Sequence, residues 1–308
     1  MQTGGNNVKS HTSSYSLPEI ENQKTGHKNI KKKLGKALKY LVLTIGALIM
    51  LYPILWLFGA SFKSNTEIFE SIWFWPKSFD LTSYIEGWKT SSEYTFATYF
   101  LNSFLIVIPK VILTLVSCTF AAYGFARFNF PAKKILFPIM IGTLFLPGIV
   151  TRIPLYIFWK NLGLLDTYIP LIANSAFACD TFFVYMLVQF FRSVPKELDE
   201  AAEMDGCNSF MTLVKVLVPI LKPSLITAAL FQFIWTFTDF QGPLIYISSV
   251  EKYPVSLALR MSMDTTAADF NWNRTIAVSI IGLIPSIVVY FSAQKHFMGG
   301  STAGGVKG

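Results

Sequence analysis

Residues 195–206 read PKELDEAAEMDG, and VLVP follows at residues 216–219. The first part is rich in charged residues, whereas long apolar segments lie on either side of the two motifs. Pro195 suits the first turn of a helix, where a missing N–H is tolerated, and the acidic residues after it favour a helix N-terminus. Gly206 suits the left-handed residue that ends a helix. The pattern predicts a short charged helix and a tight turn between apolar segments.

A second short helix is predicted after the glycine. Asn208 is a favourable N-cap residue, and Pro219 stands before the next apolar segment. Two short helices joined at a glycine form a rigid projection, which we call the elbow (residues 193–222). Its small side chains, Ala201 and Ala202, are expected to leave a surface that the groove of a partner can approach closely.

Composition places the chain in a membrane. Of its 308 residues, 52% are hydrophobic and only 14% are charged, and the mean hydropathy is +0.46. A soluble domain of this length is more polar. The net charge of +8 does not indicate a nucleic-acid protein, because the basic residues flank apolar segments and do not form a polar binding face.

Six apolar segments are long enough to be membrane spans, since about 20 helical residues cross a hydrocarbon core of about 30 Å. The predicted spans cover residues 40–62, 98–126, 134–151, 168–191, 224–248 and 275–294. The predicted organisation is a disordered cytoplasmic tail (1–29), a first helix with an extracytoplasmic segment (30–97), a core of five helices with the elbow (98–294), and a Gly-rich cytoplasmic tail (295–308). The expected fold is therefore an all-α membrane protein with six transmembrane helices.

The basic residues predict the orientation of these helices. Six spans place both termini on one side, and from Lys24 onward that side carries sixteen Lys and Arg residues against eight on the other. Cytoplasmic loops carry the excess of positive charge in membrane proteins. Both termini and the elbow are therefore predicted to be cytoplasmic.

The elbow resembles the EAA loop of ABC importer permeases. Glu200-Ala201-Ala202, Gly206 and Val218-Pro219 match that motif at every spacing. Other stretches resemble the carbohydrate importer permeases related to the second permease of the maltose importer, within the binding-protein-dependent transport inner membrane component family. These stretches are Asn102-Ser103, residues 123–128 (YGFARF), residues 242–246 (GPLIY) and the Gly-rich end from Gly299 onward.

The resemblance implies a type I ABC importer permease fold in the bacterial cytoplasmic membrane. It also implies a second homologous permease, an ATPase homodimer or heterodimer, an extracytoplasmic solute-binding protein and a carbohydrate substrate. Residues that the family uses to couple to the ATPase correspond here to Glu197, Glu200, Ala201, Ala202, Asp205, Gly206 and Pro219. In the same subtype the C-terminal tail inserts at the ATPase interface, which here implies roles for Gly304, Gly305 and Lys307.

The chain lacks a nucleotide site of its own. No Walker A pattern of Gly, four residues and Gly-Lys-Ser/Thr occurs in the sequence. ATP and Mg²⁺ are therefore expected to bind a separate partner chain, with no cofactor, metal site or catalytic residue in this one. The three histidines, His11, His27 and His296, fall in the tails or at the end of a span, which does not indicate a metal site.

Charged residues inside the predicted spans are candidates for the solute pathway. Lys110, Asp180 and Asp239 lie at membrane depth, where an ionisable group costs roughly 2.5 to 3.5 kcal/mol and usually faces the interior of the bundle. Trp235, close to Asp239, could stack on a sugar ring or pack in the core. Two interpretations of the charges stay open, an internal ion pair between Lys110 and Asp180 or polar contacts to a solute.

Two alternative functions also remain at this stage. An ion-coupled secondary transporter could use Lys110, Asp180 and Asp239 as a relay. An ABC permease for a solute other than a sugar would have the same elbow, because the elbow indicates coupling to an ATPase and does not identify the transported solute. The sequence does not identify the sugar or say whether this subunit touches it.

Overall fold

The computed structural model describes residues 19–89, 94–263 and 271–300, with side chains described for 33–89, 94–263 and 271–295. All regular secondary structure in these ranges is helical. The chain forms two compact units, Met1–Trp56 and Leu57–Gly308. The predicted all-α class is confirmed for the described residues.

The shortest described α-helices are single turns, and the longest, α1, has 42 residues. They are α1 (Glu19–Ala60), α2 (Asn65–Glu70), α3 (Thr82–Trp88), α4 (Phe96–Arg127), α5 (Lys133–Gly142), α6 (Gly148–Asn161), α7 (Ile169–Ile172), α8 (Thr181–Ser193), α9 (Glu197–Met204), α10 (Ser209–Met211), α11 (Val218–Ile220), α12 (Lys222–Phe237), α13 (Gln241–Tyr246), α14 (Val255–Met261) and α15 (Trp272–Gly300).

In the part of the chain that the structure describes, four helical segments are long and apolar enough to cross a membrane, and two bent helix pairs would raise the number to six. The four are Lys33–Ala60, Phe96–Arg127, Ile169–Ser193 and Trp272–Lys295. Ile169–Ser193 consists of α7, a 3-10 turn and α8. Helix α1 begins at Glu19, so helical structure extends into the segment for which a disordered tail was predicted. The remaining residues of that tail, and the last eight residues of the chain, lie outside the described ranges.

Helix α4 is the central helix of the second unit and packs against α8, α12, α14 and α7. Its first turn places Phe96 and Tyr99 in a buried cluster with residues of α14 and α15. Ile106, farther along, joins a second cluster with residues of α6, α7 and α13. Cys118 and Ala122, near its end, join a third cluster with α8 and α12. One helix thus contributes to all three buried clusters.

The predicted third span, residues 134–151, is not one continuous helix. Helix α5 passes into a 3-10 turn that ends at Phe145, and α6 then leaves at an angle of 99°. The break falls at Leu146-Pro147, where Leu146 is extended with φ −75° and ψ 124°. A proline has no N–H to donate and disfavours helical geometry in the residue before it. The prediction of a single helix was wrong, and Pro147 is the signal that it overlooked.

The predicted fifth span, residues 224–248, is interrupted as well. Helix α12 ends at Phe237, and α13 begins at Gln241, after three intervening residues. The Asp239 carboxylate accepts the backbone N–H of Gly242 at 3.1 Å, which begins the new helix. Pro243 lies in the first turn of α13 and has no N–H with which to continue α12. A single helix over this range was therefore also a wrong prediction.

The segment between α1 and α4 packs closely against the end of α1. The Lys63 side chain is fully buried, and its ammonium group donates hydrogen bonds to the carbonyl oxygens of Ser71 and Trp73. The backbone of Phe74 lies directly on Gly59, where an added Cβ would stand 1.7 Å from the Phe74 carbonyl oxygen. Only glycine allows this approach.

We expect Gly59→Ala to destabilise the protein by about 3 kcal/mol or more, because the methyl group would overlap a backbone carbonyl that cannot move independently. Thermal unfolding of the purified protein in detergent measures the effect. Gly46→Ala is the matched control on the same helix, since a Cβ there meets nothing within 4 Å. Equal melting temperatures for the two variants would contradict the close approach.

Candidate functional site: the elbow and two polar cavities

The first limb of the elbow is helix α9, which ends in a complete Schellman motif. The N–H of Cys207 donates to the carbonyl oxygen of Ala202, and the N–H of Gly206 donates to that of Glu203, both at 2.9 Å. Gly206 has φ +81°, the left-handed conformation that glycine adopts most readily. The predicted helix and glycine turn are confirmed.

The second limb starts at the predicted cap and contains an unpredicted π-helix. The Asn208 side chain accepts the N–H of Met211 at 2.8 Å, which confirms the cap. Residues Thr212–Leu217 then form a π-helix, a rare conformation that often lies at functional sites. Leu213 and Leu217 are fully buried in the third cluster. Leu213 and Leu217 therefore anchor the second limb in the protein core, whereas Phe210 and Pro219 on the same limb are exposed.

Polar contacts attach the elbow to the end of α4. Arg127 forms an ion pair with Asp199 at 3.0 Å and also donates to the carbonyl oxygen of Val194 at 3.0 Å. The Tyr123 hydroxyl donates to the carbonyl oxygen of Ser209 at 3.1 Å. The Arg127 side chain is 8% exposed and that of Asp199 22%, so water screens this pair less than a surface pair. Both limbs are thus held by one helix.

The exposed face of the elbow combines acidic and apolar side chains. Glu197, Glu200 and Asp205 are exposed, as are Ala201 and Pro219. Two large apolar side chains stand out beside them, Met204 at 88% and Phe210 at 60% exposure. Exposed apolar residues concentrated on a polar projection are typical of an interaction surface.

Ala202 differs from its neighbour. It is 6% exposed and lies on the side of α9 that packs against the π-helix. Its small side chain allows this internal packing, so the expectation that both alanines face a partner is wrong for Ala202. Ala201 is exposed.

The structure separates the charged residues predicted for the pathway into two groups. Among the described residues, the ion pairs are Arg127–Asp199, Lys252–Asp166 and Arg274–Glu86. The predicted pair of Lys110 with Asp180 is therefore wrong. Lys110 instead lines a small cavity with Asp239, which we call the inner cavity; its other lining residues are Ser103, Ile106, Val107, Leu171, Thr236, Pro243 and Pro254.

Asp180 is held by hydroxyl groups in place of a lysine. Its Oδ2 accepts hydrogen bonds from Thr114 at 3.1 Å and Ser175 at 2.9 Å. Ala178, two residues earlier, has φ +54°, a left-handed conformation that costs an alanine roughly 1–2 kcal/mol. Such strain is often concentrated at functional sites. Asp180 therefore has a defined position at the start of α8.

Asp180 and Trp235 line a second, larger cavity, the open cavity, of about 410 Å³. Its remaining lining residues are Thr143, Leu144, Leu146, Thr151, Cys179, Thr181, Phe182 and Phe183. The break of the third span at residues 143–147 forms one wall. Irregular backbone at membrane depth is tolerated where it is buried in protein or lines a water-filled cavity. The volume is in the range of small-molecule sites.

The sequence interpretation missed a polar junction centred on Asp166. This residue has φ +58°, and its carboxylate accepts the N–H groups of Ser248 and Ser249 and pairs with Lys252 at 2.8 Å. The Lys252 ammonium group, followed by the Ser249 hydroxyl, holds the pKa of Asp166 well below its usual range. The junction ties the loop after α6 to the loop after α13. An aspartate in a loop three residues after a glycine is too common for the sequence to have indicated it.

The residues proposed for the C-terminal tail, Gly304, Gly305 and Lys307, lie outside the described residues. The roles proposed for the elbow and the cavities remain predictions at this point, although their geometry is now defined.

Several apolar helices, some of them broken beside cavities that contain a few polar side chains, and a polar elbow are typical of a membrane permease. Residues 114–298 match the family described as binding-protein-dependent transport system inner membrane component, and the chain belongs to that family. It is therefore a permease subunit of a binding-protein-dependent ABC importer and a multi-pass inner membrane protein. Nothing supports the alternative of an ion-coupled secondary transporter.

Similar proteins agree with this assignment. The chain is 29% identical to a probable ABC transporter permease protein of Bacillus subtilis over 303 residues, which cover 96% of this chain and 98% of that one. It is 27% identical to the diacetylchitobiose uptake system permease protein of Streptomyces coelicolor, covering 87% and 88% of the two chains. A chain of a bacterial ABC transporter that imports the acidic polysaccharide alginate superposes with a TM-score of 0.74 at 25% identity, covering 87% of this chain and 98% of that one.

We expect Arg127→Met to loosen the elbow, because Asp199 and the Val194 carbonyl oxygen would lose a shared donor. The loss should be roughly 2 kcal/mol locally, which speeds amide hydrogen exchange over residues 199–207 about thirtyfold. Arg192→Met is the control, because it removes the same kind of side chain from α8. The guanidinium carbon of Arg192 lies 4.9 Å from the centre of the Phe137 ring of α5. Unchanged exchange in Arg127→Met would mean that the ion pair does not hold the elbow.

Proposed function

We propose that this permease imports a sugar or oligosaccharide as one half of a heterodimeric translocation unit. The proposal is supported by the similar proteins, which include a diacetylchitobiose uptake permease and an alginate importer. A second, homologous permease would complete the pathway, and an extracytoplasmic solute-binding protein would deliver the solute. A permease for a non-sugar solute is the second candidate, because the elbow does not depend on the cargo.

In the proposed topology, six spans cross the membrane with both termini and the elbow in the cytoplasm. The bent pair Lys133–Phe145 and Gly148–Asn161 then counts as one span, and Lys222–Phe237 belongs to another without the elbow residues Ser209–Ile220 that precede it. The count of basic residues supports this orientation, with sixteen from Lys24 onward on the side of the termini and eight on the other.

The elbow is proposed to dock into a separate ATPase that binds ATP and Mg²⁺. The observation that carries this proposal is its exposed acidic and apolar face on a projection fixed to α4. Met204 and Phe210 would fill apolar pockets of the partner, with Glu197, Glu200 and Asp205 around them. Because Arg127 and Tyr123 fix the elbow, movement of the ATPase would move α4 and α8 as a rigid body. The C-terminal Gly304, Gly305 and Lys307 are proposed to reach the same ATPase.

The open cavity is proposed to be part of the solute pathway. One oxygen of the Asp180 carboxylate accepts two protein hydroxyls, and the other has room to accept sugar hydroxyl groups. Trp235 is 48% exposed, so one part of its ring is free to stack on a sugar. A few polar groups among aromatic and apolar ones are typical of ligand sites. Asp239, by contrast, caps α13, and Lys110 lines the inner cavity with it.

The coupling proposal is tested with the complete transporter in lipid nanodiscs. We expect Glu200→Lys and Gly206→Val to reduce ATP hydrolysis stimulated by the binding protein at least tenfold, since one reverses a docking charge and the other strains the turn by about 1–2 kcal/mol. Gly163→Val is the matched control, because Gly163 also has a positive φ of 69° and open space around it. It lies in the loop after α6, away from the elbow.

Normal stimulation and normal co-purification of the ATPase in both elbow variants would contradict the coupling role. Loss of stimulation in Gly163→Val as well would indicate a general effect of strained turns on folding.

The pathway proposal is tested by transport. We expect Asp180→Asn and Trp235→Ala each to lower sugar uptake into proteoliposomes at least tenfold while the ATPase still co-purifies, because they remove contacts to the solute but leave the elbow intact. Glu251→Gln, which changes an exposed carboxylate outside the open cavity, should leave uptake unchanged. Full uptake in both cavity variants would rule out this role for the open cavity.

A further inference from the structure

The inner cavity contains two opposite charges and an unpaired hydroxyl at membrane depth. Lys110 is near the middle of the 32-residue helix α4, directly after Pro109, and Asp239 lies at the break between α12 and α13. Lys110 takes part in none of the ion pairs formed by the described residues. The two charged groups therefore face one space without touching directly.

The hydroxyl of Thr236 supplies the second observation. Thr236 is 9% exposed and lines the inner cavity, and its Oγ1 is buried without a hydrogen-bond partner. A buried hydroxyl left unpaired costs about 1–3 kcal/mol, so such atoms usually have a partner. The other polar groups nearby are already partly used, since Asp239 Oδ1 accepts the N–H of Gly242 and Ser103 Oγ accepts that of Val255.

The volume of the inner cavity, about 10 Å³, matches a single water molecule. A water there has the two to four polar partners that a buried water needs. It could accept from the Lys110 ammonium group and the Thr236 hydroxyl and donate to the Asp239 carboxylate.

We propose that the inner cavity is a binding site for one ordered water that bridges Lys110 to Asp239 and satisfies Thr236. The bridge joins Lys110 of α4, next to Pro109, to Asp239 at the break between α12 and α13. It therefore positions α13 against α4. Each charge is stabilised by the opposite charge across the water, which lowers the free-energy cost of placing Lys110 and Asp239 at membrane depth. Lys110 and Asp239 are then structural partners, and Asp180 is the carboxylate left to the open cavity.

This inference goes beyond the proposed function, because it concerns the stability of the permease and not its cargo or its ATPase. Its test is the melting temperature of the assembled transporter in nanodiscs, which is independent of transport and of ATP hydrolysis.

The first measurement is the sign of the effect of Thr236→Val, which keeps the shape of the side chain and removes the hydroxyl. If the water is present, the variant loses one of its partners and melts several degrees lower. In a dry cavity the same change removes an unpaired polar atom, and the melting temperature stays the same or rises. That second result would overturn the proposal.

A double-mutant cycle tests the bridge itself. Lys110→Met and Asp239→Asn should each lower the melting temperature by about 3–6 °C, because each leaves an unbalanced charge, whereas the Asn side chain can still accept the Gly242 N–H. The double variant should melt no lower than the worse single variant. The control cycle combines Lys110→Met with Asp180→Asn, whose effects should add. Additive effects in the first cycle would contradict the bridge, and coupling only in the control cycle would restore the pair of Lys110 with Asp180.

Discussion

The packing of α4 is the interaction on which the rest of the structure depends. Among the described residues, it is the one helix that contributes to all three buried clusters, and its last turns carry Tyr123 and Arg127, which hold the elbow. Near its start, Asn102 and Ser103 bind the loop before α14 and the first residue of that helix. These contacts lie on one continuous helix, so α4 connects the elbow to the segments around the breaks.

The polar side chains of α4 compensate for the irregular backbone around it. Asn102 donates to the carbonyl oxygens of Glu251 and Tyr253, and Ser117 donates to that of Ser175. Each acceptor belongs to a non-α-helical segment whose backbone groups have fewer partners of their own. A lipid environment offers no water for such groups, so a neighbouring helix must supply the donors. Ser117 thus satisfies the backbone where Ile169–Ser193 is interrupted, and Asn102 satisfies the loop between the predicted fifth and sixth spans.

The elbow could be predicted in detail because its structure is local. Capping by Asn208, acidic residues at the first turn and a left-handed Gly206 depend on neighbours in sequence, and each was confirmed. The polar surroundings of Lys110 could not be predicted, because Thr236 and Asp239, which line the inner cavity with it, lie more than 120 residues away in the sequence. The burial of Ala202 and the π-helix depend on tertiary packing in the same way. The breaks at Pro147 and Pro243 were partly predictable. Each proline can be read from the sequence, but the long apolar segment around it favoured the prediction of one continuous helix.

The bend at Leu146-Pro147 has a consequence for how the chain is made. Lys133–Phe145 and Gly148–Asn161 are the two halves of the bent pair, each roughly 20 Å long at 1.5 Å per residue, so neither crosses a hydrocarbon core of about 30 Å alone. During synthesis the insertion machinery receives two short hydrophobic pieces in place of one stable span. Because neither piece is stable as a span by itself, we expect the pair to be fixed only when a helix on each side of it in the chain, α4 before and α8 after, is in the bilayer. The bent pair would then take its final place after the helix that follows it has been made.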